Sequence, residues 1–237
     1  MRSEVVRRGH ERLRVGPWRG DRNVAFVTPL GDATPPTASI VQQACDVLAR
    51  KGYARVLTGA LADREQAGFL AAGFAPQEEL HLLVHDLNDL PDAPSVRLRK
   101  GWGVDRRAAL AVDASAFPPF WRLDRAGLRE AILATPIARF RVGGDSGVAA
   151  YAITGRAATR GYVQRLAVRP DHEGRGYGSA LVLDGLHWLR DAHAREAVVN
   201  TQTDNQRALA LYERLGFRRQ RDGLTVLTRP LGGGRES

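Results

Sequence analysis

Glu173-Gly174-Arg175-Gly176-Tyr177-Gly178-Ser179-Ala180 is a glycine-rich turn that follows a strand-like run, Tyr162 to Val168, and opens a long amphipathic stretch. Glycines let successive backbone N–H groups converge without side-chain obstruction, and the start of a helix adds its positive end. Such a turn suits a pyrophosphate, although Gly-x-Gly turns before helices also serve as plain loops. Beyond it, Gly178, Leu181, Val182, Gly185, Leu186 and Leu189 recur at helical spacing and predict a helix from Tyr177 to Ala192 laid against a sheet. Asn205 to Leu215 reads as a second helix, closed by Gly216 and entered from a short strand, Ala197 to Asn200.

Gln164-Arg165-Leu166-Ala167-Val168-Arg169-Pro170, then the glycine-rich turn, then Asn205, Ala208, Leu211-Tyr212 and Gly216-Phe217 at this spacing resemble the GNAT superfamily of acetyl-CoA-dependent N-acetyltransferases. The resemblance spans residues 95 to 230 and implies an α/β fold with a mixed sheet, the acyl-CoA N-acyltransferase fold, with acetyl-CoA as co-substrate. It implies that the backbone of Leu166, Ala167 and Val168 pairs with the pantetheine arm. Gly174, Arg175, Gly176, Tyr177, Gly178 and Ser179 would hold the pyrophosphate, and Asn205 would bond the pantetheine amide while capping its helix, a task that alone would explain its presence. Glu173 departs from the family, which usually has Gln or Arg there; it is expected to turn to solvent while Arg175 supplies compensating charge.

Direct transfer to an amine needs a base for the ammonium and an acid for the leaving thiolate. Tyr212 is the expected acid by resemblance; a core tyrosine on the face of Ala208, Leu211 and Leu215 is the alternative. No base is evident. Tyr162, Gln164 and Asn200 stand where many relatives carry glutamate, and none titrates usefully near neutral pH. Either a water relays the proton to a more distant carboxylate or the amine arrives neutral. A non-catalytic module that binds acyl-CoA and reports it to a partner remains the alternative reading. The run Ala116-Phe117-Pro118-Pro119-Phe120-Trp121 lies where the family's loop lines the acceptor cleft, and it is similar to the Ala-Phe-Pro-Trp of ribosomal-protein alanine N-acetyltransferases. Phe117, Phe120, Trp121 and Asn200 are the expected acceptor-binding residues, with a hydrophobic plug between helices as the alternative for the aromatic run. Asn200 replaces a glutamate of that subfamily, which weakens the case for peptide N-termini. The acceptor is an amine of a small molecule or of a protein.

Cys45 is the only cysteine and sits at an apolar-periodic helical position, so a disulfide within the chain and a thiolate cluster are excluded and a buried thiol is expected. The histidines form no ligand pattern, and no metal is expected. No run approaches a membrane span and the first residues have no apolar core, which makes the cytoplasm the expected compartment. The net charge of +9 invites a nucleic-acid reading. Yet all but Lys51 and Lys100 of the 35 basic residues are arginine, scattered without interleaved aromatics, in a chain rich in Ala and Gly. Biased codon usage explains that better than a selected basic patch. A homodimer is left open.

Asp86-Leu87-Asn88-Asp89-Leu90-Pro91-Asp92-Ala93-Pro94 is an acidic, proline-bearing linker that separates an expected catalytic domain, residues 95–237, from a segment at 1–90. That first segment reads as a degenerate copy. Laid ungapped on 197 to 217, residues 54 to 74 match at Ala54, Val56, Thr58, Arg64, Ala67, Gly73 and Phe74. Its counterpart of the phosphate turn, Gly31-Asp32-Ala33-Thr34-Pro35-Pro36-Thr37, carries two prolines that lack N–H donors. Ala62 stands opposite Asn205 and Phe69 opposite Tyr212, so a tandem chain with one silent scaffold unit is expected.

Overall fold

The computed structural model describes residues 3–30, 35–92 and 95–232. Chain order runs β1 (Glu4–Arg8), β2 (Glu11–Pro17), β3 (Val24–Pro29), α1 (Ala38–Arg50), β4 (Arg55–Leu61), α2 (Asp63–Ala71) and β5 (Ala75–His85). It continues with β6 (Leu98–Lys100), α3 (Arg106–Ala116), α4 (Arg125–Leu133), β7 (Ile137–Gly143), β8 (Ala150–Ala157) and β9 (Arg160–Val168). The last elements are α5 (Tyr177–Asp191), β10 (Glu196–Gln202), α6 (Gln206–Arg214), β11 (Arg218–Arg219) and β12 (Leu224–Pro230). Among the described residues no helix is long and apolar enough to cross a membrane.

The chain divides into two compact units: residues 1–81, 202–204 and 221–237, and residues 82–201 and 205–220. This differs from the division at the proline-bearing linker. The C-terminal strand β12 pairs with β4 and with Ala75 to Leu80 of β5, completing the first unit's sheet instead of the second's. In the first unit β2 pairs antiparallel with β1 and β3, and β3 runs parallel to β4 through four registered pairs, Val24–Arg55 to Val27–Thr58. Leu13, Val15, Ile40, Val41, Leu48, Val56 and Phe69 form its core with Cys45, which is buried as expected.

The second unit is built around β6, β7, β8 and β9, each antiparallel to the next. The β6 strand starts at Leu98 and not at Ser95, because its partner β7 runs out at Gly143 opposite Leu98. Leu181, Val182, Leu183, Leu186 and Leu189 of α5 are all buried, as their 3.6-residue spacing requires.

The repeat is visible in three dimensions. The α2 and α6 helices occupy the same places in the ungapped alignment of the two halves, and both end in a left-handed glycine, Gly73 (φ 81°) and Gly216 (φ 91°). Each helix packs one ring edge-on to a following phenylalanine, Phe69 on Phe74 at 5.3 Å and Tyr212 on Phe217 at 5.5 Å. Of the degenerate turn, Gly31 to Thr34 lie outside the described residues, as do Ala93 and Pro94 of the linker.

Candidate active site

The site begins with a defect in β9. Ile153 of β8 pairs with Arg165 but Thr154 pairs with Val163, so Gln164 bulges from the ladder. A bulge bends and twists its strand. On the other side, β9 pairs in parallel with β10 only at Arg160–Glu196, Gly161–Ala197 and Tyr162–Val198. Beyond these the two strands part, so the backbone of Leu166, Ala167 and Val168 is not taken up by β10. The gap widens into a cavity of about 590 Å³ lined by those three residues.

The cavity ends at the glycine-rich turn. Gly174 (φ 73°) and Gly176 (φ 83°) both hold left-handed backbone, which a residue with Cβ adopts only under strain. Gly176 is the N-cap of α5 and offers no side-chain cap, so the first-turn amides have no protein partner from the cap position. Gly174, Gly176, Tyr177, Gly178 and Ser179 all line the cavity, whereas Arg175 is exposed and does not. Tyr177 is itself buried, its hydroxyl donating to Asp145 at 3.3 Å; burial first and that carboxylate second push its phenol up. Glu173 is exposed, and it also lines the cavity and forms an ion pair with Arg207, which lines it too. The cation paired with it comes from the first turn of α6.

The opposite wall is α6. Asn205 caps it, its Oδ1 accepting from the Ala208 amide at 3.0 Å, and Asn205, Ala208 and Leu211 face the cavity. Tyr212 stands behind that lining, 5% exposed, among Leu209, Leu215 and Phe217. Burial pushes its phenol well above the usual value, opposed by the positive charge of Arg165. The hydroxyl therefore keeps its proton at neutral pH. Behind the end of the same helix, His85 accepts a bond at Nδ1 from the Leu87 amide at 2.8 Å, and burial lowers its pKa, so the ring is neutral.

The acceptor candidates divide. Phe117 lines the cavity; Phe120, Trp121 and Asn200 do not. Phe120 and Trp121 pack edge-on at 5.1 Å, and Asn200 is exposed on β10. What orders this loop is a cluster that the sequence reading did not single out. Arg165 holds Asp113 through Nε and Nη2 at 2.7 and 2.9 Å, donates to the Trp121 carbonyl at 2.8 Å, and lies 3.5 Å from the Phe117 ring centroid. Asp113, fully buried, also accepts from the Tyr151 hydroxyl at 2.5 Å and the Leu123 amide at 2.7 Å. Both oxygens of Asp113 are matched by donors, which makes burial of this carboxylate tolerable. Its members lie in α3, β8 and β9, far apart in sequence. The one available signal was an aspartate on the apolar face of a helix.

The sheet thus passes from antiparallel to parallel pairing and splits at a bulge, with a glycine-rich turn and a helix start at the mouth of the split. Residues 136–217 match the family model described as Acetyltransferase (GNAT) family. The chain is 32% identical over 238 aligned positions to a mycothiol acetyltransferase of Mycolicibacterium vanbaalenii, covering 86% of this chain and 77% of that protein. A 59-residue stretch is 46% identical to the mycothiol acetyltransferase of Rhodococcus jostii, covering 25% of this chain and 19% of that one. Solved structures of the same fold include a tandem GNAT protein from the clavulanic acid biosynthesis pathway, with a TM-score of 0.67 at 16% identity over 96% of this chain and 82% of that one. Another is a GCN5-related N-acetyltransferase from Kribbella flavida, with a TM-score of 0.63 at 14% identity over 99% and 91%. The chain belongs to the GNAT family of N-acetyltransferases, in its tandem form.

Proposed function

We propose that the protein is an acetyl-CoA-dependent N-acetyltransferase that loads one coenzyme per chain, in the second unit, and acetylates a primary amine directly. The observation that carries this is the cavity between β9 and α6, which joins a strand edge left open on the β10 side to the uncapped start of α5. A strand edge suits an extended chain bearing amides, and a helix start suits a pyrophosphate. The coenzyme supplies an activated thioester. Leu166 to Val168 would hold its pantetheine arm and the amides of Gly174 to Ser179 its phosphates, with Asn205 beside the arm. As the acceptor nitrogen bonds to the carbonyl carbon and the C–S bond breaks, Tyr212 would give its proton to the departing sulfur. The acceptor's own proton would leave through water or be absent from the start: Asp113, the buried carboxylate behind the cleft, has its oxygens committed to Arg165, Tyr151 and Leu123.

The likeness to proteins named mycothiol acetyltransferase makes the amine of deacetylated mycothiol the first acceptor to try, before other small amines and peptide N-termini. The test is release of free coenzyme A from acetyl-CoA in the presence of each amine, with mass spectrometry of the product. An acetylated amine formed only with the protein supports the reading. Tight acetyl-CoA binding without product across the panel would favour a module that binds acyl-CoA without catalysis.

A further inference from the structure

A second cavity, of about 450 Å³, lies away from the coenzyme cleft, between β7, the start of β6 and the solvent side of α5. Its polar floor is Arg139 and Arg141, two residues apart on β7 and therefore on one face of the strand. Both reach the same carboxylate. Arg139 donates to Asp184 through Nε and Nη2 at 2.9 and 3.1 Å, and Arg141 forms an ion pair with it, Nη2 lying 3.0 Å from Oδ1. Arg139 alone satisfies both oxygens of Asp184, so the second guanidinium is surplus to the pair. It is nonetheless only 19% exposed. Desolvating a second cation beside a single carboxylate is costly unless a further anion joins it.

The rest of the lining narrows the ligand. Asp191 at the rim pairs with Arg190 at 3.3 Å, and the floor beneath it sets two guanidiniums against the single carboxylate of Asp184. His187 binds the Pro91 carbonyl through Nε2 at 2.9 Å and adds no charge-seeking group. Val96 and Leu98 form apolar wall, and Trp188 presents an indole with the Arg139 guanidinium 6.0 Å from its ring centroid. A forked cation beside an indole and two aliphatic side chains matches a carboxylate carried on a flat or apolar body. We propose that this pocket is a binding site for a small organic carboxylate, with Arg141 as its anchor and Trp188 as the surface for the ligand's body.

Calorimetry on the full chain tests it, with benzoate and inorganic phosphate as probes, each with and without saturating coenzyme A to block the cleft. Benzoate should bind one to one with coenzyme A present. Arg141→Met, which leaves Arg139 to satisfy Asp184, should weaken it at least 10-fold, and Trp188→Leu should weaken it several-fold, covering the case in which Arg141→Met does not fold. Benzoate binding that coenzyme A abolishes, or that both variants leave unchanged, would overturn the proposal, as would no saturable binding at millimolar benzoate. Phosphate binding as tightly as benzoate, with no loss in Trp188→Leu, would reassign the pocket to an inorganic oxyanion. None of these readouts involves acetyl transfer, so the proposal stands or falls apart from the assigned reaction.

Discussion

The start of α1 in the first unit and the start of α5 in the second are the same feature of the repeat put to different ends. At α5 the turn is glycine, left-handed at two positions, and its amides face a cavity. At α1 the protein fills the anion's place itself: Glu11 accepts from the Thr37 amide at 2.6 Å and from its hydroxyl at 3.1 Å. The neighbouring grooves differ as well. In the second unit Leu211 of α6 lines open space, whereas the matching residue of α2 is Gly68, and a Cβ there would lie 1.8 Å from the Pro36 carbonyl oxygen. The chain leading into α1 thus lies in the groove that stays open beside α5. The strands follow suit, since β3 and β4 share four registered pairs out of six residues of β3, but β9 and β10 share three out of nine of β9. One sequence pattern leaves an open helix start or a sealed one, according to whether an internal carboxylate and a proline carbonyl lie against it.

The contrast predicts one coenzyme per chain, and it breaks most sharply at Gly176. Proline there cannot reach φ 83° and carries no N–H. Gly176→Pro should reduce acetyl-CoA binding at least 100-fold by calorimetry, with the folded baseline checked by circular dichroism. Two binding sites in the parent protein would refute the self-sealed reading of the first unit. Next in size is the pair Tyr212 and Phe69, which pack alike and differ by one hydroxyl. If the hydroxyl is the acid, Tyr212→Phe should lower kcat by about 10²-fold while leaving acetyl-CoA affinity unchanged; an unchanged rate would make Tyr212 a core residue like its counterpart.

A smaller effect is expected at the sealed groove. Gly68→Ala should gain about 1 kcal/mol from helix propensity, but its Cβ would enter the space of the Pro36 carbonyl, a backbone atom that cannot simply rotate away. Overpacking of this kind costs about 1–3 kcal/mol, so the net change measured by urea unfolding should be destabilising. A stabilised Gly68→Ala protein would show that the Pro36 segment yields, and that the groove is closed only loosely.

Much of this was legible in the sequence because it rests on local periodicity. The spacing of Leu181, Val182, Leu186 and Leu189 places α5 to within a residue, and Asn205 and Gly216 bracket α6 as its cap and stop. The strand-like run Tyr162 to Val168 marks β9, although the structure starts it at Arg160 because Glu196 pairs there. What was not legible depends on residues distant in sequence. Nothing near Thr37 announces Glu11, 26 residues earlier, and nothing near Arg165 announces Asp113 or the Trp121 carbonyl. The bulge at Gln164 is likewise a property of pairing with β8, not of the strand's own composition. The fate of β12 turns on which sheet edge is open, and linker composition cannot report that.

The finest test of the contrast lies in the two carboxylates beside the helix starts, Glu11 and Glu173. Glu173 pairs with Arg207 at the first turn of α6, and both groups are solvent-accessible, so the bond itself contributes only about 0–1 kcal/mol. Its larger effect is on the ligand: a carboxylate beside a bound pyrophosphate repels it and occupies the cation that the first turn of α6 offers. Glu173→Gln removes the repulsion and frees Arg207, so acetyl-CoA should bind about 2–5-fold tighter at low salt, with the gain fading as the Debye length shrinks toward about 10 Å at 0.1 M ionic strength. Arg207→Ala should act in the opposite direction, and the double variant should keep less of the gain than Glu173→Gln alone. In the first unit Glu11→Gln should produce no second coenzyme site, because the Pro36 carbonyl still lies against Gly68. Weaker acetyl-CoA binding in Glu173→Gln would mean that the carboxylate helps to build the turn, and that the departure from the family's Gln or Arg is compensated by the fold and not merely tolerated.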